Sequence, residues 1–173
     1  RGQGALALVL CASVAMLWAA SGKFGRRGVP AMAWAWLLAG LACVLVALVQ
    51  YFAPSMANGW FVATAGAAGR AVGNMRQPNH LATALLCAIV MTTWLWHAGR
   101  LRAPLAAASL LAMVLAVALS ASRTGALSLG VLLLWAVVDR SLPRAARWTL
   151  ALTPVVYIVC WAGLAEYATW QQA

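Results

Sequence analysis

Apolar runs of membrane-crossing length recur along this chain, and they constrain its fold more than any other feature. A bilayer core about 30 Å thick requires roughly 20 helical residues to cross it. Division of the chain on that scale predicts about six spans, at residues 4–21, 31–53, 79–98, 105–121, 122–138 and 148–165. Because 65% of the residues are hydrophobic, the composition excludes a water-soluble globule. We therefore predict an all-α, polytopic transmembrane helical bundle that forms one region over residues 1–173.

The fourth and fifth predicted spans form one apolar stretch, which only the segment SASRTG (120–125) interrupts. A single long helix would place Arg123 near the middle of the membrane, where a charge is costly. A helical hairpin that turns at this segment places Arg123 at the surface instead. We therefore predict a break between two helices at SASRTG.

The charges of the chain lie between the apolar runs. Twelve Lys and Arg stand against two acids, but the basic residues form no continuous face that would indicate nucleic-acid binding. One set of alternate connections contains Lys23, Arg26, Arg27, Arg100, Arg102, Arg140, Arg144 and Arg147, and the other contains Arg1, Arg70, Arg76 and Arg123. The richer set is predicted to be cytoplasmic. Seven tryptophans fall near the same membrane face, as in an interfacial belt: Trp18, Trp34, Trp36, Trp94, Trp96, Trp135 and Trp148.

This topology leaves three outward arginines unexplained, namely Arg70, Arg76 and Arg123. Two predicted helices begin on their side, one with Asn79 as its N-cap and one capped by Ser122 or Thr124. Helix N-termini and guanidinium groups are the parts of which phosphate sites are built. Residues expected to shape such a site are Gly73, Asn74, Gln77, Pro78, Asn79, His80, Ser122, Thr124 and Gly125. The alternative is that the arginines are solvated loop charges and that the Gly-rich connection is a flexible linker.

Other chemistry finds little support in the sequence. His80 is a candidate general base or phosphate ligand, and its alternative is a residue that bonds locally at a helix start. The two acids, Asp139 and Glu166, both lie outside the predicted spans, which argues against ion-coupled transport. The four cysteines lie in separate apolar runs without a CxxC pair, so we predict no disulfide, no metal and no cofactor.

Two segments carry a resemblance to a known family, GRAVGNMRQPNHLAT (69–83) and LSASRTG (119–125). The chain resembles the superfamily of O-antigen ligases, O-antigen polymerases and bacterial O-oligosaccharyltransferases, and it is most similar to the protein-glycosylating branch. The resemblance implies part of a GT-C-type membrane region in the bacterial inner membrane. It also implies transfer of a glycan from undecaprenyl pyrophosphate, on the periplasmic side, to a hydroxyl acceptor. That acceptor is a pilin-like protein, a growing polysaccharide or lipid A core.

By motif position, the resemblance assigns pyrophosphate binding to Arg70 and Arg123, with Arg76 as a helper. The family's catalytic His would lie beyond residue 173, so we expect a fragment that is inactive alone and leave the catalytic base unassigned. Within the superfamily, lipopolysaccharide ligation and O-antigen polymerisation remain alternatives to protein glycosylation. An alternative of another class is a transporter or a non-catalytic membrane subunit that binds lipid phosphate.

Overall fold

The computed structural model describes residues 28–66 and 69–170 of the chain. Within these ranges the regular structure is helical, without a β-strand. In chain order the α-helices are α1 (Gly28–Phe52), α2 (Pro78–His97), α3 (Ala103–Leu119), α4 (Arg123–Val138) and α5 (Arg144–Trp170). A short 3-10 helix, Pro54–Met56, follows α1. The predicted all-α class is confirmed for these residues.

Three of the described helices are long and apolar enough to cross a membrane, namely α1, α2 and α5 with 25, 20 and 27 residues. Helices α3 and α4 are also apolar but have only 17 and 16 residues. The first predicted span, residues 4–21, lies outside the described residues. The chain is thus a membrane protein by the character of its helices, while about six spans stays a prediction.

The helix boundaries follow the sequence prediction closely in the middle of the chain. Helix α3 ends at Leu119 and α4 begins at Arg123, so the predicted break at SASRTG is confirmed. The predicted span at residues 148–165 lies inside α5, which is longer, because it begins at Arg144 and continues to Trp170. Arginine is a good helix former, so the helix extends beyond its apolar part.

The core lies where α2 and α3 pack together. Leu81, Leu85 and Ile89 of α2 are fully buried, as are Met113 and Val117 of α3. Helix α1 joins this core through a close contact at Gly40. A Cβ atom on Gly40 would lie 2.5 Å from the Cβ of Ala88, so only glycine allows this approach.

Helices α4 and α5 expose large apolar side chains along much of their length. Examples are Leu127, Val131, Leu134, Val155, Ile158 and Val159, each more than half exposed. An apolar surface of this kind suits hydrocarbon and would be unfavourable in water. The packing therefore agrees with a membrane location.

Helix α5 contains a proline in its interior, at Pro154. Proline has no N–H, so the carbonyl of Leu150 loses its usual intrahelical donor. The hydroxyl of Thr153 donates to this carbonyl at 2.7 Å. The sequence thus supplies a substitute donor where an unsatisfied carbonyl in lipid would be costly.

The turn between α4 and α5 is fixed by Arg147 and Asp139. The Arg147 side chain donates to the carbonyls of Ala136 and Val137 at 2.7 and 3.1 Å, and so satisfies the last turn of α4. The Asp139 carboxylate accepts from the hydroxyl and the N–H of Ser141 at 2.6 and 2.9 Å and from the Trp135 indole at 3.1 Å. These hydrogen bonds, with the charge of Arg147, hold the pKa of Asp139 below its ordinary value.

Candidate functional site

The two signature segments, far apart in the sequence, meet in the fold. The N–H of Ala71 donates to the carbonyl of Leu119 at 2.9 Å, and the hydroxyl of Ser122 donates to the Asn79 side-chain oxygen at 2.8 Å. These contacts join the segment before α2 and the start of α2 to the end of α3 and the start of α4. We call this end of the helices the site end.

Arg70 holds the end of α3 in place. Its Nε donates to the carbonyl of Ser120 at 3.0 Å, and one terminal nitrogen reaches the carbonyl of Ala121 at 3.4 Å. The last carbonyls of a helix have no intrahelical donors, so Arg70 and the Ala71 N–H together cap α3. Part of the Arg70 guanidinium is therefore committed to the protein itself, and the side chain is half-buried.

Gln50, near the end of α1, braces the connection that leads to α2. Its side-chain oxygen accepts from the N–H groups of Val72 and Gly73 at 2.9 and 2.8 Å. Its amide nitrogen donates to the carbonyls of Ala63 and Gly73 at 2.7 and 3.3 Å. The side chain is only 3% exposed, so this buried amide fixes two stretches of the connection. Sequence analysis missed Gln50 because it reads there as one polar residue near the end of an apolar run.

The start of α2 differs from the prediction. Gln77 is the N-cap, without a side-chain cap hydrogen bond, and Pro78 is the first helical residue. The prediction of Asn79 as the N-cap was therefore wrong. Proline is favoured at the first helical position, so the helix begins two residues earlier than it would with a cap at Asn79. The Asn79 side chain is instead the acceptor for Ser122.

The start of α4 agrees with the prediction. Ser122 is the N-cap, and its buried hydroxyl accepts from the N–H of Gly125 at 3.0 Å while donating to Asn79. Gly125 permits the close approach of α4 to α2. A Cβ atom at Gly125 would lie 2.8 Å from the Cβ of Ala82 and 3.1 Å from a methyl of Val117. The starts of two helices are thereby fixed side by side.

The other two predicted arginines, Arg76 and Arg123, are exposed at the site end. Within residues 28–66 and 69–170, their guanidinium groups take part in no hydrogen bond or ion pair with the protein. Arg123 is the first residue of α4. Their donors are therefore available to an anion.

Two residues at the site end adopt the left-handed conformation that L-residues rarely adopt, Arg76 with φ of 55° and Ala121 with φ of 46°. Each such residue costs about 1–3 kcal/mol and persists only where the surroundings enforce it. The N–H of Arg76 donates to the carbonyl of Gly73, and Arg70 holds the carbonyl of Ala121. Gly73 is also left-handed, with φ of 64°, which glycine adopts without strain.

The remaining predicted residues have different surroundings. Asn74 bonds to the backbone of Phe61 and Ala63 at 2.9 Å each, so it supports the connection. His80 and Thr124 are exposed in the first turns of α2 and α4. No hydrogen bond of the described residues fixes the His80 ring. A catalytic role of His80 therefore finds no geometric support here.

The site end thus combines two helix N-termini with exposed guanidinium groups. The N–H groups at a helix start lack intrahelical partners, and the helix dipole adds positive potential there. Of the two acids in the sequence, Asp139 lies at the opposite end, beyond the last residue of α4. Glu166, which was predicted to lie outside the spans, is inside α5, next to Tyr167, whose ring contacts that of Phe52 at the end of α1. This arrangement is suited to bind a phosphate or diphosphate.

Comparison with known proteins gives one family match. The model of the family described as protein glycosylation ligase matches residues 71–96, from the third residue of the first signature segment almost to the end of α2. No curated protein and no solved structure matches the chain. The matched stretch contains Arg76, Asn79 and His80 but neither Arg70 nor Arg123. This short match supports a function like that of a glycosylation ligase at the family level.

Proposed function

We propose that the protein is a membrane glycosyltransferase that moves a glycan from undecaprenyl pyrophosphate to a hydroxyl acceptor, on the periplasmic side of the bacterial inner membrane. The acceptor in this proposal is Ser or Thr of a pilin-like protein. The observation that carries the proposal is the direct contact between the two signature segments, through Arg70 with Ser120 and Asn79 with Ser122. The match to protein glycosylation ligases supports the same class of reaction.

In this proposal the site residues stabilise the leaving group. The acceptor hydroxyl attacks the anomeric carbon and loses its proton to a general base, while the bond from that carbon to the pyrophosphate oxygen breaks. Negative charge grows on the departing lipid pyrophosphate. Arg123 and Arg76, with the N–H groups at the starts of α2 and α4, stabilise that charge. Arg70 keeps the α3–α4 turn in position and adds its own positive charge.

The test uses the full-length protein in membranes with a lipid-linked oligosaccharide and a pilin-like acceptor. Mass spectrometry follows the gain of glycan mass on the acceptor. We expect Arg123→Ala and Arg70→Ala each to lower the transfer rate by about 100-fold or more, the usual effect of removing one stabilising donor. Arg144→Ala is the matched control, because Arg144 lies at the opposite end of the helices, and we expect it to keep the wild-type rate.

The other outcomes separate the alternatives. Extension of lipid A core or of a polysaccharide, without a mass gain on the protein acceptor, would place the protein in the ligase or polymerase branch. Binding of the lipid-linked donor without transfer to any acceptor would favour a lipid-phosphate-binding subunit. Equal losses in Arg123→Ala and Arg144→Ala would contradict the proposed site.

A further inference from the structure

A tight turn over residues 58–62 presents two aromatic side chains away from the protein. The Asn58 side-chain oxygen accepts from the N–H groups of Trp60 and Phe61 at 2.9 and 3.2 Å. The N–H of Gly59, which has φ of 81°, donates to the carbonyl of Val62 at 2.9 Å. The backbone of this segment, which we call the aromatic turn, is therefore fixed by its own hydrogen bonds.

The two aromatic side chains contact little of the protein. Trp60 is 90% exposed and Phe61 is 84% exposed. Two adjacent aromatic residues in water would leave a large apolar area unburied. A fixed turn that holds both outward indicates that another medium or molecule covers them.

The aromatic turn is also joined to the site end. The Asn74 amide donates to the carbonyl of Phe61 at 2.9 Å, and its oxygen accepts from the N–H of Ala63 at the same distance. Gln50 bonds to the carbonyl of Ala63 and to Gly73. These bonds restrain the backbone of the turn at Phe61 and Ala63. They also make the turn and the first signature segment one connected piece.

The position of the turn indicates a lipid surface as its partner. It follows α1, a membrane-length helix that ends at Phe52, and residues 28–69 contain no charged side chain. A charge-free segment beside a helix end lies near the boundary between lipid and water. Tryptophan favours that boundary, since its ring is apolar and its N–H can still bond to water or headgroups. A protein partner would be expected to meet polar or charged groups around the aromatic pair, and this segment offers few.

We propose that the aromatic turn inserts Trp60 and Phe61 into the interfacial layer of the lipid leaflet at the site end. Because Asn74 and Gln50 connect the turn to Gly73, this insertion fixes the height of the first signature segment relative to the lipid surface. The insertion does not depend on the proposed function. Any activity that acts on a lipid headgroup would benefit from it.

The experiment measures depth in the membrane with spin labels. Single cysteines are placed at Phe61→Cys and, as a second variant, Trp60→Cys, in protein whose four native cysteines are replaced by alanine. Two reference labels use Met75→Cys, which is exposed in the first signature segment, and Val131→Cys, which is exposed midway along α4. The protein is reconstituted in vesicles of phosphatidylethanolamine and phosphatidylglycerol. Collision of each label with oxygen, which concentrates in lipid, is compared with collision with a water-soluble nickel chelate.

We expect the oxygen-to-nickel ratio at positions 61 and 60 to exceed that at 75 several-fold and to stay below that at 131. The label at 131 also reports whether the protein has inserted correctly. Ratios at both 60 and 61 equal to that at 75 would overturn the proposal. Spin–spin broadening at position 61 that disappears on dilution with unlabelled protein would also overturn it, because a second copy would then cover the turn.

Discussion

Replacement of Gln50 by methionine is expected to loosen the connection between α1 and α2 while the helices stay intact. Methionine has a similar length but lacks both the acceptor and the donor of the amide. The N–H groups of Val72 and Gly73 and the carbonyl of Ala63 would lose the partner that Gln50 provides. The carbonyl of Gly73 would keep a second partner, the N–H of Arg76. Three backbone groups in buried residues are thus left unsatisfied.

The magnitude follows from these three groups. A buried polar group without a partner costs about 1–2 kcal/mol, at the lower end of the usual range. The closed form of the connection is therefore destabilised by about 3–6 kcal/mol relative to the open form. Each 1.4 kcal/mol changes an equilibrium about tenfold. The population of the open connection should therefore rise by a factor between about 10² and 10⁴.

Trypsin digestion in detergent measures this opening, because Arg70 and Arg76 lie within the connection and digestion of an opened segment follows its population. Cleavage after these two residues should accelerate in Gln50→Met, while cleavage after Arg140, in the α4–α5 turn, should not. Hydrogen exchange at Val72 and Gly73 should accelerate in parallel. The control is Thr93→Val, which also removes a buried hydrogen bond, from the Thr93 hydroxyl to the carbonyl of Ile89 within α2. Equal rates of cleavage after Arg70 and Arg76 in the two variants would refute the assignment of Gln50 as the brace.

Three further predictions test the packing of the starts and ends of the helices. Gly125→Ala should lower the free energy of unfolding by about 1–3 kcal/mol, because the new Cβ would lie 2.8 Å from that of Ala82. Gly130→Ala, on the same helix, places its Cβ in open space and should raise the free energy of unfolding by up to about 1 kcal/mol. Denaturant titration measures both changes. A double-mutant cycle of Ser122→Ala with Asn79→Ala should give a coupling of about 0.5–1.5 kcal/mol, and a value of zero would exclude their hydrogen bond. In the folded protein the pKa of Asp139 is held below its ordinary value. The stabilisation of the fold by the ionised carboxylate is therefore complete above about pH 4, the pKa of Asp in the unfolded chain. It is lost as the pH falls through the lower pKa of the folded state. The difference in thermal unfolding temperature between the wild type and Asp139→Asn should therefore shrink on acidification, and a difference that grows would contradict this sign.

The sequence predicted the features that depend on local pattern. The break at SASRTG was predictable because Arg123 interrupts an apolar stretch at a place where a charge in the membrane is unfavourable. The N-cap at Ser122 was also predictable, because serine is one of the residues preferred at the N-cap position of a helix. The N-cap of α2 was predicted two residues too late, at Asn79 instead of Gln77. Asn79 is a good cap by local preference, but Pro78 takes the first helical position.

What the sequence did not reveal depends on contacts between distant residues. The partners of Gln50 lie 13 to 23 positions away along the chain, and those of Arg70 lie 50 and 51 positions away. No periodic pattern marks such pairs, since each involves one side chain and a backbone carbonyl or N–H. The sequence therefore indicated that Arg70 belongs to a site, but it did not indicate that Arg70 caps α3.

Arg70 and Arg123 consequently differ in what their removal would report. Arg70→Ala would remove a positive charge and also release the carbonyls of Ser120 and Ala121, so its effect on transfer combines binding with the position of α4. Arg123 stands at the start of α4, and its neighbours fix that start through Ser122, Asn79 and Gly125. The strained backbone of Ala121 lies two residues before it. The guanidinium of Arg123 bonds to none of the described residues, so Arg123→Ala removes charge without releasing the α3–α4 turn. It is therefore the sharper test of whether the site end binds a diphosphate.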